Sequence, residues 1–281
     1  MKLAWQTFCL DFSRKTHLMG VLNVTPDSFS DGGLHFDKSS AVERALEMAD
    51  DGADIIDIGG ESTRPGSDPV PPEEEIRRTV PVIETIAKKV TCPISIDTYR
   101  ADVARQALAA GASIVNDISG MRFDPLMPKV VSDFNVPVII MHMKGTPKDM
   151  QSNPTYESLI KEIMGYFEER LRFAADSGIS TDLIVLDPGI GFGKTFDHNL
   201  IILNNLHEFM RLGRPLLIGP SRKAFLGRLL NGAAPGERME GTAAAVAISI
   251  IKGADIVRVH DVKEMTKVAR VADAIKREKA I

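Results

Sequence analysis

Two cysteines, Cys9 and Cys92, leave this 281-residue chain little scope for thiol chemistry. Neither has metal-ligand spacing and one pair makes no disulfide framework, so both read as structural residues in a reducing compartment. An excess of charge of one sign is also missing. The 34 basic and 38 acidic residues include no basic run, which argues against a polyanionic nucleic-acid partner. Any phosphate recognition must then come from a few local cations. No apolar stretch reaches the roughly 20 residues of a membrane-spanning helix. The opening MKLAWQTFCLDFSRKTH has neither a continuous apolar core nor a small-residue cleavage site, so it does not read as a signal peptide. No membrane partner is expected, and the cytoplasm is the expected location. No linker, low-complexity stretch or second domain stands out.

What is present is a regular alternation. Hydrophobic residues make up 44% of the chain, enough for a sizeable core. Short β-branched runs recur at 17–24, 54–59, 93–97, 113–117, 137–142, 183–187, 215–219 and 255–260. Between them, helical periodicity marks 39–51, 72–90, 101–110, 156–177, 241–252 and 262–278. Gly-Ala pairs at 52–53, 111–112 and 253–254 close helices just before the next strand. Eight near-continuously apolar strands point to parallel strands buried on both faces, and so to a single (β/α)8 barrel domain over 1–281. The rival is an open doubly wound sheet, but no GxGxxG follows the first strand. The alternating N-terminal stretch predicts a β-hairpin, with Trp5 plugging the barrel bottom.

In such a barrel all strand C-termini face one mouth, so polar residues placed there converge. Those ends carry Asn23, Asp57, Asp97, Asn116 with Asp117, His142, Asp187, Ser221 with Lys223, and Arg258 with His260. Helix capping accounts for single members of this set more readily than for the whole of it. The first strand also runs straight into a loop of hydroxyls, carboxylates and glycines (MGVLNVTPDSFSDGG), and DIIDIGG runs into ESTRPG. An enzyme is expected.

Taken together, NVTPDSFSDGG, GGESTRPG, ISIDT, IVNDISG, MHMKGTP, DPGIGFGK, GPSRK and VRVHDV resemble the dihydropteroate synthase family, in order and over almost the whole barrel. The resemblance implies a transferase of folate biosynthesis. Such enzymes condense hydroxymethyl dihydropterin pyrophosphate with p-aminobenzoate, giving dihydropteroate and pyrophosphate. It also implies the pterin anchors Asp97, Asn116 and Asp187, in a pocket shaped by Ile118, Met141, Phe192 and Gly219. Lys223 would reach the pterin near the reacting carbon, and Ser221 the aminobenzoate carboxylate. Asn23, Arg258 and His260 suit the leaving pyrophosphate, whose charge needs donors and cations. Mg²⁺ would be held by Asn23 and Asp31 with pyrophosphate oxygens. Phe29, Thr63, Arg64 and Pro65 match the aminobenzoate pocket, Arg64 also lying near the pyrophosphate. Changes near Phe29, Arg64, Pro65 or Ser221 would bear on sulfonamides, which mimic p-aminobenzoate and make the family a sulfonamide target. Pro220 departs from the small or sulfur-containing residue expected there.

Because the conjugated pterin can delocalise positive charge, a dissociative displacement is favoured, with Asp97 stabilising the cation. No general base with a tuned pKa stands out. The loops 25–36 and 62–72, small and polar, read as lids that exclude water and imply that the pterin substrate binds first. Arg222 reads as an ion-pair partner, and His142 as a hydrogen-bonded strand-end residue. A homodimer is expected, through the amphipathic last helices. The alternatives are a non-catalytic pterin-binding homologue and a corrinoid-linked pterin methyltransferase.

Overall fold

A computed structural model describes residues 1–25, 38–62, 67 and 69–279. Strands β1 (Lys2–Trp5) and β2 (Phe8–Asp11) pair antiparallel, as the N-terminal alternation requires. Eight parallel strands follow: β3 (His17–Asn23), β4 (Ile55–Gly59), β5 (Ile94–Asp97), β6 (Ile114–Asp117), β7 (Val138–Met141), β8 (Ile184–Asp187), β9 (Leu217–Ile218) and β10 (Ile256–Val259). Each lies within a predicted run. Their spatial order is β8-β7-β6-β5-β4-β3-β10-β9, and a parallel bridge between Leu186 and Leu216 joins the two ends into a barrel.

The surrounding helices are α1 (Lys38–Asp50), α2 (Pro72–Ile86), α3 (Ala101–Ala109), α4 (Met127–Phe134), α5 (Leu159–Asp176), α6 (Phe196–Asn204), α7 (Leu206–Phe209), α8 (Ala224–Leu229), α9 (Met239–Ile251) and α10 (Val262–Arg277). Helical periodicity missed α4, α7 and α8 because runs of 8, 4 and 6 residues are too short to show a period. It missed α6 because LIIL leaves that helix little polar contrast. Helix α2 ends before the expected Val90, where the N–H groups of Lys89 and Val90 both turn onto the Ile86 carbonyl. Gly52, Gly111 and Gly253 all take positive φ after their helices, a conformation that an L side chain resists.

The two-residue period of a strand decides what fills the barrel. Outward residues such as Ile56, Ile58, Ile96, Val115 and Ile140 join the helices in the main core. Inward residues are apolar at the strands' N-terminal ends. Met19, Ile55, Ile114, Ile139, Val185, Leu217 and Ile256 pack against Leu3, Trp5, Leu10 and Phe12 of the hairpin. The hairpin therefore closes the bottom, and Trp5 is 4% exposed there. Two or four residues further along the same inward rows, the side chains become Asn23, Asp57, Asn116, Asp187 and Arg258, while the inward row of β5, Ser95 and Asp97, is polar throughout. That switch places the polar groups at the mouth.

Candidate active site

Arg258 on β10 organises the mouth. Its Nε donates to Oδ2 of Asp57 at 2.6 Å and its Nη2 to Oδ2 of Asp97 at 2.7 Å. Asn116 Nδ2 also donates to Asp57, at 3.1 Å. One guanidinium thus neutralises part of two buried carboxylates, as Arg's planar fork allows. The second oxygens of Asp57 and Asp97 are buried without a partner among the described residues. Burial pushes Asp97 up to about 7 against the pull of Arg258, with the charge of Asp57 adding to the rise. Burial acts to lower Arg258, but the same two acids outweigh it and raise the group, so it stays charged.

Asp187, at the end of β8, spends one oxygen on the Gly189 N–H at 2.7 Å. It is therefore in part the loop-capping acid that its position suggests. Burial raises its pKa, and that N–H and the charge of Lys223 oppose the rise. Lys223 begins the turn into α8, and its ammonium lies 4.2 Å from the centre of the Phe192 ring. Burial pushes Lys223 down to about 8, Arg258 adding to the fall while Asp187 and Asp97 oppose it.

Asp97, Asn116, Ile118, Met141, Asp187, Phe192, Gly219, Lys223 and Arg258 line one slot of about 20 Å³, room for roughly a single water. The slot borders a cleft of about 1110 Å³ that Asn23, Ser221 and His260 also line. Asn23 is half-buried at the end of β3. Ser221 Oγ lies 2.9 Å from His260 Nδ1. Burial, with Arg258 and Arg222 adding, pushes His260 down to about 3, so it is a neutral imidazole at neutral pH. It can offer a hydrogen bond there, but no charge.

The structure thus brings together Asn23, Asp97, Asn116, Ile118, Met141, Asp187, Phe192, Gly219, Ser221, Lys223, Arg258 and His260. Phe29, Asp31, Thr63, Arg64 and Pro65 lie outside the described residues. Arg222 is the ion-pair partner expected: its Nε donates to Asp261 at 3.0 Å, and its left-handed backbone (φ 58) is held by the Thr242 hydroxyl. His142 is buried and bonded, and His198, for which the sequence named no partner, completes a capping box with Thr195 at the start of α6.

Three residues escaped the sequence reading. Asp57 had a place at a strand end but no role; its signal was the inward row Ile55–Asp57–Gly59, which aims it at Arg258. Glu61 is buried and takes hydrogen bonds from the Tyr99 hydroxyl at 2.7 Å and the Val70 N–H at 3.0 Å, with Arg100 paired to it at 2.8 Å. Lys194, which closes DPGIGFGK, is buried with all its bonds directed into the protein. Neither of the last two sits on a strand end, so the strand-end rule passes over them.

Comparison with known proteins bears on the family and the fold. The sequence profile described as "Pterin binding enzyme" matches residues 19–260. A dihydropteroate synthase of Synechocystis sp. is 49% identical over 94% of this chain and 92% of that protein. The Yersinia pestis dihydropteroate synthase, solved with a sulfonamide drug complex, superimposes with a TM-score of 0.94 at 41% identity, covering 99% of this chain and all of that one. A Xanthomonas albilineans dihydropteroate synthase in complex with 7,8-dihydropteroate gives a TM-score of 0.89 at 38% identity over 98% and 99% of the two chains. On sequence and fold alike, the chain belongs to the dihydropteroate synthase family of pterin-binding enzymes.

Proposed function

We infer that this chain is a dihydropteroate synthase that joins hydroxymethyl dihydropterin pyrophosphate to p-aminobenzoate in folate biosynthesis. The observation that carries the reading is the slot itself, where acceptor groups from the adjacent strands β5 and β6, Asp97 and Asn116, and from β8, Asp187, meet one lysine and one arginine. A pterin offers a row of N–H donors along one edge. The unpartnered oxygen of Asp97 is an acceptor for it, since a buried carboxylate oxygen without a donor is costly. At about 20 Å³ the slot is far too small for the ring, so binding must shift a wall. Lys223, on a flexible stem over Phe192, is the wall most easily moved.

The displacement breaks the C–O bond to pyrophosphate, whose electrons leave with the phosphate. The aryl amine then forms the C–N bond, and the resulting ammonium loses its proton to water. Asp97 lies where a pterin cation would be stabilised electrostatically, which supports cleavage running ahead of attack. Lys223 meets the developing charge of the leaving group at the edge of the slot. Asn23 and the neutral His260 offer an amide and an imidazole to its oxygens. Arg258, engaged by Asp57 and Asp97, acts first by holding Asp97 in place, and second as a fixed positive charge beside the anion.

Mg²⁺ fits this donor set. Asn23 presents an amide to the cleft, and no cluster of three or more His, Cys, Asp or Glu side chains able to cage a metal occurs among the described residues. A hard cation held by one or two protein oxygens, waters and substrate phosphates suits such a site. By family resemblance Asp31 is the second protein ligand. When bound, the ion would neutralise charge on the departing pyrophosphate. Phe29, Thr63, Arg64, Pro65 and Ser221 would then build the aminobenzoate pocket, the point of sulfonamide competition.

The chain is also proposed to be a homodimer, through an apolar stripe on its last helices. Ile248 and Ile251 on α9, and Val271 and Ile275 on α10, are exposed, and the two helices pack side by side. No described helix is long and apolar enough to cross a membrane. The cytoplasm, where both thiols would stay reduced, suits the chain and its small-molecule substrates. Pyrophosphate release measured with both substrates and Mg²⁺, with and without p-aminobenzoate, tests the activity. Amine-dependent release with dihydropteroate formed is expected; tight pterin binding without product would leave only a pterin-binding homologue.

A further inference from the structure

Behind the slot lies a cation with no part in the reaction. Lys194 is 2% exposed, and none of its hydrogen bonds among the described residues goes to a carboxylate. Its ammonium instead lies 2.9 Å from each of three partners: Nδ1 of His142, the carbonyl oxygen of His142 and the carbonyl oxygen of Phe192. An ammonium has three donors, and the site supplies three acceptors. The two carbonyls belong to different loops, one following β7 and the other following β8. A cross-link between those loops is what the three bonds amount to.

The loops meet at unusually close range. Gly189 takes φ +71, and a Cβ there would come within 2.1 Å of the His142 oxygen. Only glycine allows the approach that brings both carbonyls to one ammonium. Further along the same loop, Tyr156 donates its hydroxyl to the Gly193 carbonyl at 2.7 Å, and Gln151 donates to that of Gly191 at 2.7 Å. Phe192 sits between these anchors, with its ring lining the slot and supporting the Lys223 ammonium.

We propose that Lys194 is a positioning residue for pterin recognition, tying the loop after β8 to the strand end at His142 and so fixing the Phe192 ring as a wall of the slot. This rests on the reading of the slot as the pterin site. Burial pushes Lys194 well below the usual lysine range while the charge of Asp187 opposes the fall, and the three acceptors hold the amine in place. The arrangement requires His142 to accept at Nδ1, which leaves its proton on Nε2.

Calorimetric titration of dihydropterin pyrophosphate into the parent, Lys194→Met, Phe192→Ala and the double variant tests this. Lys194→Met is expected to weaken binding at least tenfold while changing the KM for p-aminobenzoate less than twofold. Because Lys194 acts through Phe192, the losses in the double variant should fall well short of additive. Additive losses, or parent affinity in Lys194→Met, would overturn the proposal. Should Lys194→Met not fold, nitrogen NMR of the parent reads the same arrangement directly. A neutral His142 with its proton on Nε2 from pH 5 to 9 is expected, and a proton on Nδ1 overturns it. If the parent binds no pterin at all, the reading of the slot fails, and this proposal fails with it.

Discussion

Arg258 Nε and Asp57 Oδ2 lie 2.6 Å apart although the residues are 201 positions apart in the chain, and Asp57 has no exposed surface. Parallel strands make the meeting possible: β4 and β10 flank β3, and both turn these side chains into the barrel. With Asp97 on the other arm, the guanidinium sits between two carboxylates that would otherwise repel each other in a low-dielectric interior.

Removing the cation should therefore cost stability as well as activity. Arg258→Met leaves two buried acids unneutralised, a change of about 3–5 kcal/mol. Asp97, whose rise Arg258 opposes, would hold its proton more tightly still in the folded variant than in the unfolded chain, so the variant's stability should fall as pH rises. Urea melts of parent and variant at pH 5 and pH 8 check this, the deficit being larger at pH 8. An equal deficit at both would mean that the acids are not what Arg258 stabilises.

The raised pKa of Asp97 gives a second pH dependence. Its folded value of about 7 lies above an unfolded value near 4. The native state therefore holds a proton that the unfolded state has lost, and this contribution to stability declines as pH rises from about 4 to about 7. Pterin affinity should move the opposite way, because the ionised carboxylate is the better acceptor. Asp97→Asn should flatten both dependences. Titrations at pH 6, 7 and 8 that show no slope in the parent would remove Asp97 from the pterin edge.

Much of this was legible in the sequence because one rule, inward residues at strand ends, governs it. Eight strands follow from short, near-continuously apolar runs, the hairpin from alternation, and Asn23, Asp97, Asn116, Asp187 and Arg258 from their places at the strand ends. The pairing of Arg258 with Asp57 was not legible, since a barrel sets β4 and β10 on either side of β3 without saying which inward side chains reach each other. Nor was the neutrality of His260, which burial and two neighbouring guanidiniums impose. Nothing in the sequence marks Lys194, because its burial depends on the close approach of two loops, allowed at Gly189. The residues that named the substrates came from family resemblance, as strand-end counting carries no information about pterin.

Lys223 should be needed as a cation. Lys223→Ala is expected to lower turnover by about 10²-fold or more, in the range seen when one charge-stabilising donor is lost, while melting near the parent. With a pKa of about 8, the parent should lose kcat/KM as pH rises above 8, because its charged fraction falls. Lys223→Arg should move that limb upward by keeping the charge. A limb that stays in place in the arginine variant would assign it to another group.

Mg²⁺ dependence follows from the donor set around Asn23. Chelation should stop amine-dependent pyrophosphate release, and added Mg²⁺ should restore it. Asn23→Ala should raise the Mg²⁺ concentration needed for half-maximal rate while leaving the affinity for the pterin ring alone close to the parent's. Activity unaffected by thorough chelation would leave the phosphate to the protein's own cations.

The apolar stripe makes the last prediction. Ile248 is 49% exposed and Ile275 67%, on two helices packed together, and such side chains stabilise the monomer little where they stand. A stable dimer buries about 800 Å² per partner, with an apolar centre. Placing a carboxylate at each of these positions, as Ile248→Glu with Ile275→Glu, would bury unpaired charge in that centre. Sedimentation velocity should then show the parent as a dimer and the double variant as a monomer at micromolar concentration. The monomer's fold should be unchanged, since exposed substitutions usually shift stability by within about 0.5 kcal/mol. A double variant that still sediments as a dimer would place the interface on another face, and a monomeric parent would remove it altogether.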